Sequence, residues 1–156
     1  MARTFSDTEQ TETPPAQVRD LMTPAPLAIS PETSVHAAYR LMQEQRLSHL
    51  PVCEDGRPVG LLSERDLLLV LPSPATSLAA HEVHSLLERL TVAEIMTRFP
   101  VTIGPDQTVT EAASRMLTHH VQALPVTEHR RLVGLLTRTH LLYAFLRSQA
   151  AQPLAA

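Results

Sequence analysis

Ser63-Glu64-Arg65-Asp66 and Thr137-Arg138-Thr139-His140 are the stretches of this sequence best equipped for binding chemistry. Each follows an apolar, strand-like run, residues 59–62 or 133–136, and each opens a helical pattern. A helix start presents free backbone N–H groups and the positive end of the helix dipole, which favour an anion such as phosphate, and Arg65 can add a phosphate contact. Ser-x-x-Asp is also the spacing of a capping box, in which hydroxyl and carboxylate close the helix end and do nothing else. Both readings stand at this level. The remaining titratable groups offer less. His119 and His120 are adjacent and point in different directions, whereas His81 and His84 share a helix face. No carboxylate-rich or Cys/His set completes either pair, so no metal site is assigned. The single cysteine, Cys53, reads as a small buried hydrophobe that cannot form an internal disulfide, as expected of a reducing compartment. No nucleophile is oriented by a base, and Asp66 and His140 fall in different halves of the chain, so the sequence reads as non-enzymatic.

Composition narrows the classes further. With 156 residues, 44% of them hydrophobic, and a net charge of −3, the chain reads as one compact soluble domain. Its 13 basic residues are all arginine and are outnumbered by 16 acids, which argues against nucleic acid and removes lysine chemistries such as Schiff bases and the P-loop. The longest purely apolar run, residues 67–71, falls far short of the roughly 20 residues a membrane span needs. Residues 1–16 show no apolar signal core, so a cytoplasmic location is expected.

The elements that must hold these residues are written twice. Residues 18–68 return as 92–142 at a constant offset of 74: Met22-Thr23 as Met96-Thr97, Leu50-Pro51-Val52 as Leu124-Pro125-Val126, and Val59-Gly60-Leu61-Leu62 as Val133-Gly134-Leu135-Leu136. Each copy has an extended lead-in, at 27–30 or 101–104, and then a helix capped from Thr33-Ser34 or Thr108. The helix carries one apolar stripe, Val35, Ala38, Tyr39 and Met42 or Val109, Ala112, Ala113 and Met116. A strand follows at 50–53, then the Asp55-Gly56 turn, a strand at 59–62 and a final helix. The second turn, at 128–131, lacks the glycine. Leu71-Pro72 ends the first copy, and Ser77 is expected to cap a linker helix with Val83, Leu86, Leu87 and Leu90 on one face. The expected plan is a disordered tail over 1–16, copies at 17–71 and 91–147 around a linker at 72–90, and a second tail over 148–156. A unit of about 50 residues is too small to bury a core alone, so the copies should pack together as one pseudo-two-fold α+β body with its functional surface at the seam.

The ordered set D-[LI]-M-T, P-x-T-x-V-x-x-A, L-P-V and V-G-L-L-[ST]-x-x-[DH]-L-L, found twice in tandem, resembles a pair of CBS motifs, the Bateman module. The resemblance covers about residues 17–147 and extends to small stand-alone bacterial CBS proteins. It implies two tandem CBS repeats, each helix, hairpin and helix, forming a regulatory module that binds AMP, ADP, ATP or S-adenosylmethionine between the repeats. It also implies a homodimer, occupancy passed to an unknown regulated protein in trans, and no required cofactor. The hydroxyl at Ser63 and the acid at Asp66 would contact the nucleotide, the carboxylate offering two oxygens to the ribose diol. The opposite repeat would hold the base, so the first cleft combines Leu61, Ser63, Arg65 and Asp66 with Thr97, Val101, Val121, Gln122 and Ala123. The second combines Leu135, Thr137 and His140 with Thr23, Leu27, Leu47, Ser48 and His49. It departs from the pattern, because His140 replaces the acid and His49 brings bulk where the first cleft has Ala123. One competent and one weak site are expected. The alternative is a ligand-free dimerisation adaptor, for which His140 and the glycine-less turn argue.

Overall fold

The computed structural model describes residues 16–73 and 78–150. In chain order the elements are α1 (Val18–Leu21), β1 (Thr23–Pro24), α2 (Val35–Gln45), β2 (His49–Glu54), β3 (Arg57–Ser63), α3 (Glu64–Val70), α4 (Ala80–Arg89), α5 (Val92–Ile95), β4 (Thr97–Arg98), α6 (Val109–Thr118), β5 (Ala123–Glu128), β6 (Arg131–Thr137) and α7 (Arg138–Ala150). The mixed helix-and-sheet repeat is as expected. Ser34 Oγ accepts from Ala37 N–H at 3.1 Å to cap α2, and Thr108 Oγ1 accepts from Glu111 N–H at 3.1 Å to cap α6.

Both hairpins share one form, with a register shift at Val52/Cys53 in the first and at Val126/Thr127 in the second. Asp55 and Gly56 have φ of 48° and 77°, and His129 and Arg130 have 49° and 65°. These pairs of positive φ match the strand twist as a type I′ turn does, so the second turn keeps its shape without glycine and lends nothing to the adaptor reading.

Each three-stranded sheet is completed by a two-residue strand from the other copy, while the lead-ins stay with their own copy, Ile29 bridging to Val52 and Ile103 to Val126. The orders are β2-β3-β4 and β5-β6-β1, with Leu61 opposite Thr97 and Leu135 opposite Thr23. The short helices α1 and α5, absent from the sequence reading, cross over in the same way. Val18 N–H and Arg19 N–H donate to the carbonyls of Gln107 and Pro105, and Val92 N–H and Ala93 N–H donate to those of Thr33 and Pro31, all at 2.8–3.0 Å. At Gly60 and Gly134 the crossing chains come close together. A Cβ at Gly60 would collide with the thioether of Met96, and one at Gly134 with that of Met22. Hence the missing side chain in each V-G-L-L motif makes room for the methionine of the other copy's Met-Thr motif.

The burial follows this exchange. Val35, Ala38, Met42, Leu50, Val52, Leu62 and Leu67 bury together with Val92 from the second half, and Ile103, Ala112, Met116, Leu124, Val126 and Leu136 with Val18 from the first. Between them lies a third small cluster of Leu61, Ala123 and Leu135. The repeat partner of Ala123 in that seam is His49.

The structure corrects three expectations. The linker helix begins at Ala80, and its first turn is closed by Glu82, which accepts from Ala79 N–H at 2.7 Å; Ser77, the expected cap, lies outside the described residues. Within that helix Leu87 is buried and Val83 half-buried, but Leu86 is 41% exposed. The tail assigned to 148–156 starts too early, because α7 runs to Ala150. The tail assigned to 1–16 lies outside the described residues except for Ala16.

Candidate functional site

The strand exchange opens two clefts, one beside each of α3 and α7. All nine residues expected in the first line a cleft of about 690 Å³, and all eight expected in the second line one of about 480 Å³. Both fall within the roughly 300–1,000 Å³ of small-ligand sites. Leu61 lies opposite Thr97 in β3–β4, Ala123 opposite Thr137 in β5–β6, and Ser63 and Asp66 start α3.

At the first cleft the helix end is closed by its own side chains. Asp66 Oδ2 accepts from Ser63 N–H at 2.8 Å and from Ser63 Oγ at 2.6 Å, and Asp66 N–H donates to Ser63 Oγ at 3.2 Å. Glu64 N–H donates to the Ser48 carbonyl at 3.0 Å. Of the amides from Ser63 to Asp66, only that of Arg65 has no partner among the described residues. The capping box is therefore real, and the helix start is a poorer phosphate cradle than its sequence suggests. Two resources remain. Asp66 Oδ1 takes no hydrogen bond among the described residues, and a carboxylate oxygen has lone pairs for a hydroxyl donor. The Arg65 guanidinium makes no ion pair among the described residues, so it is available for an anion at the mouth. Sequence reasoning missed His119, His120 and Phe99, which also line this cleft. Their signal was the turn after α6, whose shape needs His120 at φ 54°, and the exposed bend at Phe99, φ 51°.

The second cleft repeats the cap with different chemistry. His140 stands where Asp66 does, and its Nδ1 accepts from Thr137 N–H at 3.1 Å. That bond requires an unprotonated Nδ1 and so the Nε2–H tautomer, whose Nε2 lies 3.5 Å from Thr23 Oγ1. Both ring nitrogens are thereby engaged inside the protein. Burial pushes the His140 pKa below the ordinary histidine value, which keeps the ring neutral. Asp66 retains a spare acceptor and His140 retains none.

His49 lines both clefts, with Nδ1 3.0 Å from Ser48 Oγ. Its pKa is lowered, chiefly by burial and further by the Arg138 charge, against the opposing pull of Asp66 and Glu64. The imidazole thus borders both clefts, whereas Ala123, its repeat partner, lines only the first.

The sequence pattern of the CBS domain family matches residues 18–73 and 92–147. Inosine-5′-monophosphate dehydrogenase of Korarchaeum cryptofilum is 36% identical over 127 residues, which are 81% of this chain but only 22% of that enzyme. A CBS domain-containing protein of Dictyostelium discoideum is 33% identical over 127 residues, covering 80% of this chain and 88% of that one. Among solved structures, the CBS-pair protein CBSX2 from Arabidopsis thaliana superposes with a TM-score of 0.71 at 28% identity, covering 88% of this chain and 99% of its own. CBSX2 in complex with AMP gives 0.69 at 29% identity, covering 85% and 98%. The chain spans about a fifth of the dehydrogenase it matches, and the shared part is the domain pair. Among the described residues no helix is long and apolar enough to cross a membrane.

Proposed function

The chain belongs to the CBS domain family, and from that premise we propose that it is a non-enzymatic regulatory module that holds one adenosine-containing ligand, with AMP as the reference compound, in the cleft lined by Asp66 and Ala123. The observation that carries this reading is the asymmetry of the two clefts. The first combines the greater volume, the small Ala123 and a carboxylate oxygen free for ribose hydroxyls; the second has, in place of that carboxylate, an imidazole with both nitrogens taken. The AMP complex of CBSX2 supports the ligand class. Leu61 and Val121 form apolar walls for the base, and Arg65 faces the phosphate end.

A ligand in this cleft touches β3 and α3 of the first copy and β4 and β5 of the second, so occupancy favours one arrangement of the copies. A partner protein that distinguishes the arrangements reads the ligand by differential affinity. The homodimer belongs to the same proposal. Leu68 and Leu69 of α3 and Leu142, Tyr143, Phe145 and Leu146 of α7 are 57–76% exposed, and a second copy is the occupant that repeat-related apolar helices fit.

Thermal unfolding with AMP, ADP, ATP, S-adenosylmethionine and GMP tests the reading. A ligand at 100 times its Kd adds about 2.7 kcal/mol, a rise of several degrees. A selective rise with one adenosyl compound is expected; no rise with any of them leaves the ligand-free adaptor as the account.

A further inference from the structure

His36 on α2 and His84 and Glu88 on α4 form a three-residue cluster that lines neither cleft. The Nε2 of His84 lies 3.0 Å from Oε1 of Glu88 one helical turn on, and the His36 and His84 rings stand edge to face with centroids 4.3 Å apart. One donor atom from each of the three residues lies within 4.8 Å of the other two. A tetrahedral ion with bonds of about 2.0–2.1 Å holds its ligands roughly 3.3 Å apart, which small side-chain rotations here would satisfy. From this geometry we infer that His36, His84 and Glu88 bind a divalent transition-metal ion of the zinc class.

The donor set selects the metal. Two imidazoles and one carboxylate suit Zn²⁺, Co²⁺ or Ni²⁺ and do not suit Mg²⁺ or Ca²⁺, which take oxygen ligands. Three protein ligands leave a coordination position for water. The backbone already supplies the framework. Buried Leu87 and half-buried Val83 hold α4 against the first core, and the i, i+4 spacing puts His84 and Glu88 on one face of that helix. An ion at this point ties α4, the helix joining the two copies, to α2. Because its ligands stand apart from both clefts, linker docking responds to metal independently of the adenosyl ligand. Sequence spacing missed the site because it compared His84 with His81, its neighbour in the chain. The true partner, His36, is 48 positions away and meets it only through helix packing.

Equilibrium dialysis of the metal-stripped full chain against Zn²⁺ tests this, with bound metal measured directly and thermal unfolding in parallel. The wild type is expected to take up one zinc per chain at the cluster and to unfold at a higher temperature with it. His36→Ala and His84→Ala should each weaken that binding at least tenfold and abolish the thermal rise. A His119→Ala, His120→Ala double variant should bind as the wild type does. His84 is half-exposed, so its variant keeps the fold even if His36→Ala does not. Zinc uptake unchanged in His84→Ala, uptake lost in the His119, His120 variant instead, or no zinc retained by the wild type would each overturn the assignment.

Discussion

Replacing Asp66 by asparagine separates the two duties of that carboxylate. Oδ2 serves the capping box, through Ser63 N–H at 2.8 Å and Ser63 Oγ at 2.6 Å, while Oδ1 is free for the ligand. The amide keeps one carbonyl oxygen, enough to accept from Ser63 N–H. The loss to folding should therefore stay at the low end of the range for a lost cap, about 0.5 kcal/mol. The ribose loses more. With its one acceptor oxygen committed to the cap, the amide side chain turns its NH₂ group toward the diol. A hydrogen bond to a charged group contributes about 1.5–3 kcal/mol, so AMP affinity should fall roughly 10- to 150-fold. Calorimetric titration of AMP into both proteins, with urea unfolding to measure stability, reads the two effects separately. If Asp66→Asn unfolds like the wild type and binds AMP within a factor of three, the acid is only a cap and the ribose assignment fails.

At the seam, Gly60→Ala pushes a methyl group into Met96 and should destabilise by about 1–3 kcal/mol in urea unfolding, with most of the loss recovered in a Met96→Ala background; an additive double variant would mean the contact is not tight. Combining His140→Asp with His49→Ala should give the second cleft a free carboxylate and room for a base, raising calorimetric stoichiometry from one AMP per chain to two; a value still at one would show that something else closes that cleft. Burial lowers the pKa of both His49 and His140, so the fold holds them neutral while the unfolded chain protonates them near pH 6.5. The unfolded state then binds more protons, and stability is complete above about pH 6.5 and falls as pH drops below it. Urea midpoints between pH 5 and 8 should show that acid-side slope, shallower in His49→Gln and in His140→Gln; slopes identical to the wild type would remove these residues from the account. Glu32, Glu94 and Glu111, lowered by hydrogen bonds from Ser30, Thr91 and Thr108, lose their contribution only further into acid, below the ordinary carboxylate range.

What the chain revealed in advance was what is local or repeated. Helix stripes such as Val35, Ala38 and Met42, the Asp55-Gly56 turn and the 74-residue offset are patterns of that kind, and they carried the architecture, while both sets of cleft residues came from the resemblance to the CBS pair. The exchange of β1 and β4 between copies left no such trace. A two-residue strand has no periodicity, and Thr23-Pro24 would look the same beside β3 as it does beside β6. At the helix start of Ser63 the sequence left a phosphate cradle and a capping box both open, and the structure favours the cap: the amides of Ser63, Glu64 and Asp66 are taken by Asp66 Oδ2, the Ser48 carbonyl and Ser63 Oγ. His49 showed its bulk in the sequence but not that it borders both clefts, a fact that depends on how two sheets meet.

The most direct test of the central claim is the crystal structure of the protein grown with AMP. Nucleotide is expected in the first cleft only, with ribose hydroxyls on Asp66 Oδ1, the base beside Ala123, and His140 still held between Thr137 and Thr23. Nucleotide in the His140 cleft with the Asp66 cleft empty would contradict the assignment.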